Sequence, residues 1–202
     1  MKERGILMTA TNVRSIIAGT KTQTRRRVAF PRKRDSFVLQ DDGNGWWPYQ
    51  SDDGESSVCN DGCEHPYACP YGVPGDRLWV RETWRTHSTK HDQIRPRDLS
   101  PHGDVVIHYD ASMQFVAPFL GKGRPSIFMP RWASRITLEI TDVRVERLQE
   151  ISEADAVAEG VTVTVRENGA LDPFRELWRS INGPGSWDAN PYVWVIEFRR
   201  LP

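Results

Sequence analysis

The chain is short of cysteine, has no net charge and contains no long apolar run. Three cysteines in 202 residues cannot all pair within one chain. A disulfide scaffold is thereby excluded, and a cytoplasmic protein with reduced thiols is expected. No stretch approaches the ~18 consecutive apolar residues of a membrane helix, so no membrane partner is expected. The opening MKERGILMTATNVRSIIAG has no apolar stretch followed by a cleavage site, which argues against a secretory signal. Lys plus Arg equals Asp plus Glu at 27 each, so the chain is not a bulk polycation. Any nucleic-acid contact must come from a local patch. Internal repeats are also missing. What is present is an ordinary globular balance, 38% hydrophobic and 27% charged, with a high count of eight tryptophans. The length fits a single domain over 1–202, with insertions at about 31–75 and 86–125.

The pattern along the chain begins with a helix. Thr9 or Thr11 can cap it, Val13, Ile16 and Ile17 share a face, and Gly19 suits the position after its end. A β-capable, basic stretch follows, Lys21-Thr22-Gln23-Thr24-Arg25-Arg26-Arg27. Residues 31–75 are rich in Gly, Pro, Asp and Ser and read as an insertion too irregular for a core element. RLWVRETW, residues 77–84, reads as one strand, and Val105 to Tyr109 as a short one. Arg135 to Leu148 alternates but changes phase at Thr141-Asp142, the sign of a bulge in one strand or a turn between two. Ser152 with Asp155 resembles a capping box for a short helix that Gly160 ends. Pro173 fits the first position of a second helix with Phe174, Leu177, Trp178 and Ile181 as its stripe. YVWVIEFRR closes the chain as a strand. The fold class expected is α+β and mainly antiparallel, a small β-barrel with short helices on its rim and irregular insertions.

Several residues have chemical potential. Lys21 precedes Arg25, Arg26 and Arg27, with Arg32, Lys33 and Arg34 beyond. Like charges and burial disfavour a protonated amine, so Lys21 is a candidate base and Thr24 a candidate nucleophile. The alternative is a phosphate-gripping basic strand with threonines chosen for β-propensity. A regular strand points residues 21 and 24 to opposite faces, so the pair needs Lys21 in a turn before the strand, which Gly19 makes feasible. In PGDRLWVRETW, Trp79 and Arg81 share a face and can hold a phosphate or stack a base. Glu82 lies on the other face as a second candidate carboxylate, and needs a partner if buried. Arg131, Trp132, Ser134 and Arg135 repeat the arginine-aromatic theme, open to nucleotide contact or to packing. Cys59, Cys63, His65 and Cys69 fall within eleven residues. They are candidate ligands of a structural zinc, the alternative being free cysteines in a loop.

GTKTQTRR after a short helix, PGDRLWVRETW, a helix carrying AEGV and a final YVWVIEF strand together resemble the ASCH family. These are PUA-like barrel proteins associated with RNA. MPRWASRITLEITDVRVERLQEIS looks like the ASCH domains carried by phages and prophages. The resemblance covers the two ends and the middle of the chain, not residues 35–70 or 86–124. One branch of the family hydrolyses the acetyl amide of 4-acetylcytidine with a lysine base, a threonine nucleophile and a glutamate acid. Its Lys-Thr-x-Thr motif matches residues 21–24, which implies Lys21 and Thr24, and the helix match implies Glu159, with Glu153 and Asp155 as weaker candidates. Read without the family, Glu159 is a solvent-facing carboxylate at a helix C-terminus. Where that branch has Ile-Arg after the second threonine, this chain has Arg25-Arg26. The resemblance implies an amidohydrolase acting on a modified cytosine nucleoside, with no cofactor required for catalysis. RNA binding without chemistry and an ASCH-type ribonuclease are the alternatives. Arg25, Arg26, Trp79, Arg81, Glu82, Arg131 and Trp132 are the candidate substrate-binding residues, for a modified nucleoside or RNA.

Overall fold

A computed structural model describes residues 1–29, 68–100, 105–162 and 169–202 in full, and residues 38–41, 46–51 and 64–66 through the backbone alone. Ten strands and three α-helices are present among them. The strands are β1 (Glu3–Leu7), β2 (Gln23–Arg27), β3 (Val38–Asp41), β4 (Trp46–Ser51) and β5 (Glu64–Pro66). They continue with β6 (Arg77–Arg81), β7 (Trp84–Thr86), β8 (Ile107–Tyr109), β9 (Thr137–Arg147) and β10 (Tyr192–Arg200). The helices are α1 (Ala10–Ile17), α2 (Glu153–Ala158) and α3 (Leu171–Asn182). The class is α+β with mostly antiparallel pairing, and no helix among the described residues is long and apolar enough to cross a membrane.

The main sheet has the order β1-β6-β9-β10-β2. Only β1 and β6 run parallel. β10 sits next to the centre, where its neighbours β9 and β2 satisfy its backbone from both sides. Both of its faces are also covered by packed side chains, and Val193, Trp194, Val195 and Ile196 are all fully buried. Trp194 and Ile196 join Val13 and Ile16 of α1 with Leu78, Val80, Leu138 and Ile140 in one core. Val193 and Val195 face the other way, against Ala156 of α2 and Phe174 and Trp178 of α3. Burying Phe174 and Trp178 contributes about 1.5–3 kcal/mol each and holds α3, which has no side-chain N-cap, on the sheet. β1 and β2 are the two edges of this sheet. Among the described residues no ladder joins them, and the side chain of Arg26 spans the gap instead, its Nη2 donating to the Leu7 carbonyl at 2.8 Å.

The phase change at Thr141-Asp142 is a bulge in one continuous strand. Glu197 pairs with Asp142 and Phe198 with Ile140, so Thr141 has no partner on β10. Other expectations are corrected. Residues 31–75 carry β3, β4 and β5, a three-stranded antiparallel sheet of their own. Their Val, Leu, Trp and Tyr content favours extended backbone despite the surrounding Gly and Asp. The strand expected over 77–84 divides into β6 and β7, because the chain changes partners there: β6 pairs with β1 and β9, β7 with β8. Pro173 is the third residue of α3, not the first. Any of the first four positions lacks an intrahelical N–H bond, so proline is tolerated there. Ile17 is half-exposed at the last position of the short α1, and Ile181 is exposed on α3.

Candidate functional site

Two helix ends build the site. Thr9 caps α1, its hydroxyl accepting from the Asn12 N–H at 3.2 Å. Gly19 leaves the helix with φ of 78°, a conformation glycine adopts without strain. The turn hands the Thr20 and Lys21 N–H groups to the Ser15 carbonyl and places Lys21 ahead of β2, as an isolated bridge partner of Glu159. Ser152 and Asp155 form the capping box of α2, with Asp155 N–H donating to Ser152 Oγ at 3.1 Å. Glu159 caps the far end of α2, and Gly160 at φ of 83° turns the chain away. A side chain at residue 160 would meet Lys21 Cβ and Ser15 Cβ at 2.8 Å, so glycine lets α1, α2 and the Lys21 turn close on one another.

Lys21 is buried and its Nζ donates to both the carbonyl and the Oε2 of Glu159, each at 2.7 Å. Burial pushes the Lys21 amine below its ordinary value, against the pull of the Glu159 carboxylate, and the charges of Arg26 and Arg25 add to the push. Glu159, read from its position alone as solvent-facing, is only 4% exposed. The unfavourable C-terminal helix position is offset by Lys21 and by Arg25, whose Nη1 lies 3.4 Å from Oε1. Arg25 is buried in a carboxylate cage: its Nε donates to Glu146 Oε1 at 3.0 Å, its Nη2 lies 3.4 Å from Asp155 Oδ2, and its guanidinium sits over the Phe174 ring. Arg144 and Gln23 close the network onto the same Asp155.

A cavity of about 840 Å³ opens beside this pair. Thr24 through Arg27 of β2, Gly5 and Leu7 of β1, the start of α1, Arg81, Glu159 and the apolar stripe of α3 line it. Thr24 and Glu159 thus face one space. Lys21 lies behind Glu159, and among the described residues it makes no direct hydrogen bond to Thr24. The opposite-faces objection does not arise, since Lys21 stands outside the strand. Arg26 and Arg81 also face the cavity.

Other candidates lie elsewhere. Glu82 does not line the cavity; it is 2% exposed, and the partner it needs is Arg135, which holds it through two hydrogen bonds of 2.9 and 3.0 Å. Trp79 packs on Gly5 and lies under the guanidinium groups of Arg81 and Arg131. Arg131 pairs with Glu3, and Trp132 packs beside Trp84 and Met129. Glu153 gives its carboxylate to the Ala170 N–H, away from the cavity. Cys59 and Cys63 fall outside the described residues, as do Arg32, Lys33 and Arg34 and the side chain of His65. Cys69 is buried in the main core, and burial raises its thiol pKa.

Sequence reasoning missed the Arg144-Glu146 pair, whose signal was polar residues at alternate positions of a long strand, and Ser126 and Ile127, which also line the cavity and carried no signal. No family model, no curated protein and no solved structure matches the chain.

Proposed function

We propose that this chain is an ASCH-type hydrolase with a PUA-like barrel, acting on the acyl amide of a modified cytosine nucleoside of the 4-acetylcytidine kind. The observation that carries the reading is the buried Lys21–Glu159 pair standing beside Thr24 at a cavity of about 840 Å³. That volume is in the usual range for small-molecule sites. The barrel reading draws on the two sheet edges, β1 and β2, lining one cavity with Arg26 across the gap.

The pair suits amide hydrolysis. Lys21 is held where its proton is weakly bound, and the acceptor is in contact. Transfer of that proton to Glu159 leaves a neutral amine and a carboxylic acid, which are the base and the acid the reaction needs. Thr24 attacks the acyl carbon while its proton passes to Lys21 through one water, since the two make no direct hydrogen bond. The C–N bond breaks as Glu159 delivers its proton to the departing cytosine amine. Water then hydrolyses the acyl-threonine. Arg25, Arg26, Arg27 and Arg81 in the lining favour the developing oxyanion. The test is cytidine release from 4-acetylcytidine. Wild type releases cytidine and Thr24→Ala loses at least 100-fold, on the order of a nucleophile's contribution. No release above buffer, or full activity in Thr24→Ala, sinks the reading.

A binding module without chemistry is favoured by one observation: Arg26 and Arg27 have no carboxylate partner among the described residues. On that reading RNA affinity survives Thr24→Ala unchanged.

A further inference from the structure

The charges around the cavity are matched unevenly. Its lining carries Arg25, Arg26, Arg27 and Arg81 against the single carboxylate of Glu159. Arg25, deep in the site, is answered by Glu146, Asp155 and Glu159. Nothing anionic answers the others among the described residues. Arg26 donates to the carbonyls of Arg25 and Leu7 and to Met8 Sδ. Arg81 donates to the carbonyls of Ser126 and Ile127. Neutral acceptors fix a guanidinium in place without cancelling its charge, and two or three of each group's five N–H donors stay unused.

The two arginines are both tied to the end of β1 and line the same cavity. Leu7 accepts from Arg26 and is the register partner of Arg81 across the β1–β6 ladder, while Met8 N–H bonds the Arg81 carbonyl at 3.0 Å. Gly5 has no side chain there, and a Cβ would press on Arg81 Cδ at 2.9 Å. Immediately beyond, Thr9 and Ala10 begin α1 and also line the cavity, and the first turn of α1 holds no acidic side chain. Arg26 and Arg81 therefore present a positive, carboxylate-free corner, and the helix end adds to the same potential.

We propose that this corner binds a phosphate ester on the ribose of the substrate, so that the cavity takes a cytosine nucleotide in preference to the bare nucleoside. The inference rests on the cytosine reading of the same cavity. Arg26 and Arg81 supply charge-assisted hydrogen bonds to the phosphate oxygens, and Thr24 and Glu159 meet the base at the other end.

The test is calorimetric titration of the full chain with cytidine, cytidine 5′-monophosphate and inorganic phosphate, beside hydrolysis of 4-acetylcytidine and its 5′-monophosphate. The monophosphate binds and reacts about 10-fold or more better than the nucleoside, as hydrogen bonds to charged groups provide, and the preference falls with salt. Arg26→Gln with Arg81→Gln brings the ratio near one. Arg27→Gln, at an exposed position of the same strand outside the corner, leaves the ratio within about 2-fold of wild type and controls for a general loss of positive charge; a drop as large as that of the double variant overturns the assignment to Arg26 and Arg81. Equal affinity for cytidine and its monophosphate at low salt overturns the inference. A monophosphate preference without acyl release retains the phosphate corner and discards the hydrolase. Acyl release at equal kcat/KM from nucleoside and nucleotide does the reverse. A trinucleotide with a central acetylated cytidine separates the sources: tighter binding than the monophosphate assigns the phosphate to an RNA strand, weaker binding to a free nucleotide.

Discussion

Lys21 is tied twice to Glu159, through the backbone carbonyl and the carboxylate, both at 2.7 Å from Nζ. The first bond fixes where the amine stands, and the second fixes its charge. Position therefore survives a change in protonation, which is what a proton-handling pair requires.

Removing one partner of this pair leaves a buried charge uncompensated. Lys21→Met and Glu159→Gln each lower unfolding stability by about 3–5 kcal/mol, whereas Lys21→Met combined with Glu159→Gln costs less than the sum. Urea denaturation of the four proteins measures the coupling. Strict additivity would show that the pair does not interact in the folded state.

Stability also depends on pH through Lys21. Burial lowers its pKa from the ordinary 10.5, so the unfolded chain holds this proton more tightly than the folded one. The resulting penalty is complete below the folded value and is relieved as pH rises from there to 10.5. Denaturation midpoints therefore climb less with alkaline pH in Lys21→Met than in wild type. Identical alkaline slopes would contradict the assignment.

Asp155 gives the opposite dependence. Burial raises its pKa, but hydrogen bonds from Ser152 and Gln23 and the charge of Arg25 outweigh burial and hold it below the ordinary 3.8. Its contribution is present above that ordinary value and is lost as pH falls through the folded one. Asp155→Asn is accordingly less stable at neutral pH, and its stability falls less steeply on acidification. Melting temperatures between neutral pH and pH 3 test this.

Gly160→Ala places a methyl group 2.8 Å from Lys21 Cβ at a φ of 83°. A cost of about 1–3 kcal/mol is expected. Gly185→Ala, at a φ of 76° with open space around it, is the comparison in which only the backbone is strained. Thermal melts should rank Gly160→Ala as the worse of the two; the reverse order would mean that the contact with Lys21 is not tight.

Arg135→Met strands the Glu82 carboxylate at 2% exposure. A loss of about 3–5 kcal/mol follows, recovered in large part by adding Glu82→Leu. A single variant as stable as wild type would show that Glu82 has another partner.

Local signals in the chain were enough to place α1, the α2 capping box and β10, and to mark the slip at Thr141-Asp142; the structure chose Thr9 over Thr11 as the cap of α1 and a bulge over a turn at the slip. Each is set by neighbours a few residues apart: a hydroxyl before a helix, a glycine after it, a period of two that slips once. The same reasoning put Lys21 in a turn ahead of β2, because Gly19 permits it. Tertiary structure decided the rest. Glu159 and Lys21 are 138 residues apart in the chain, and only the closure of α2 on the Gly19 turn makes one the partner of the other. Glu82 and Arg135 met in the same way, and their pairing removed Glu82 from the site. Which arginine is neutralised was equally hidden: Arg25 and Arg26 are adjacent and alike in sequence, but neighbouring strand residues point to opposite faces. Arg25 meets Glu146, Asp155 and Glu159, whereas Arg26 meets only neutral acceptors, two carbonyls and Met8 Sδ, among the described residues.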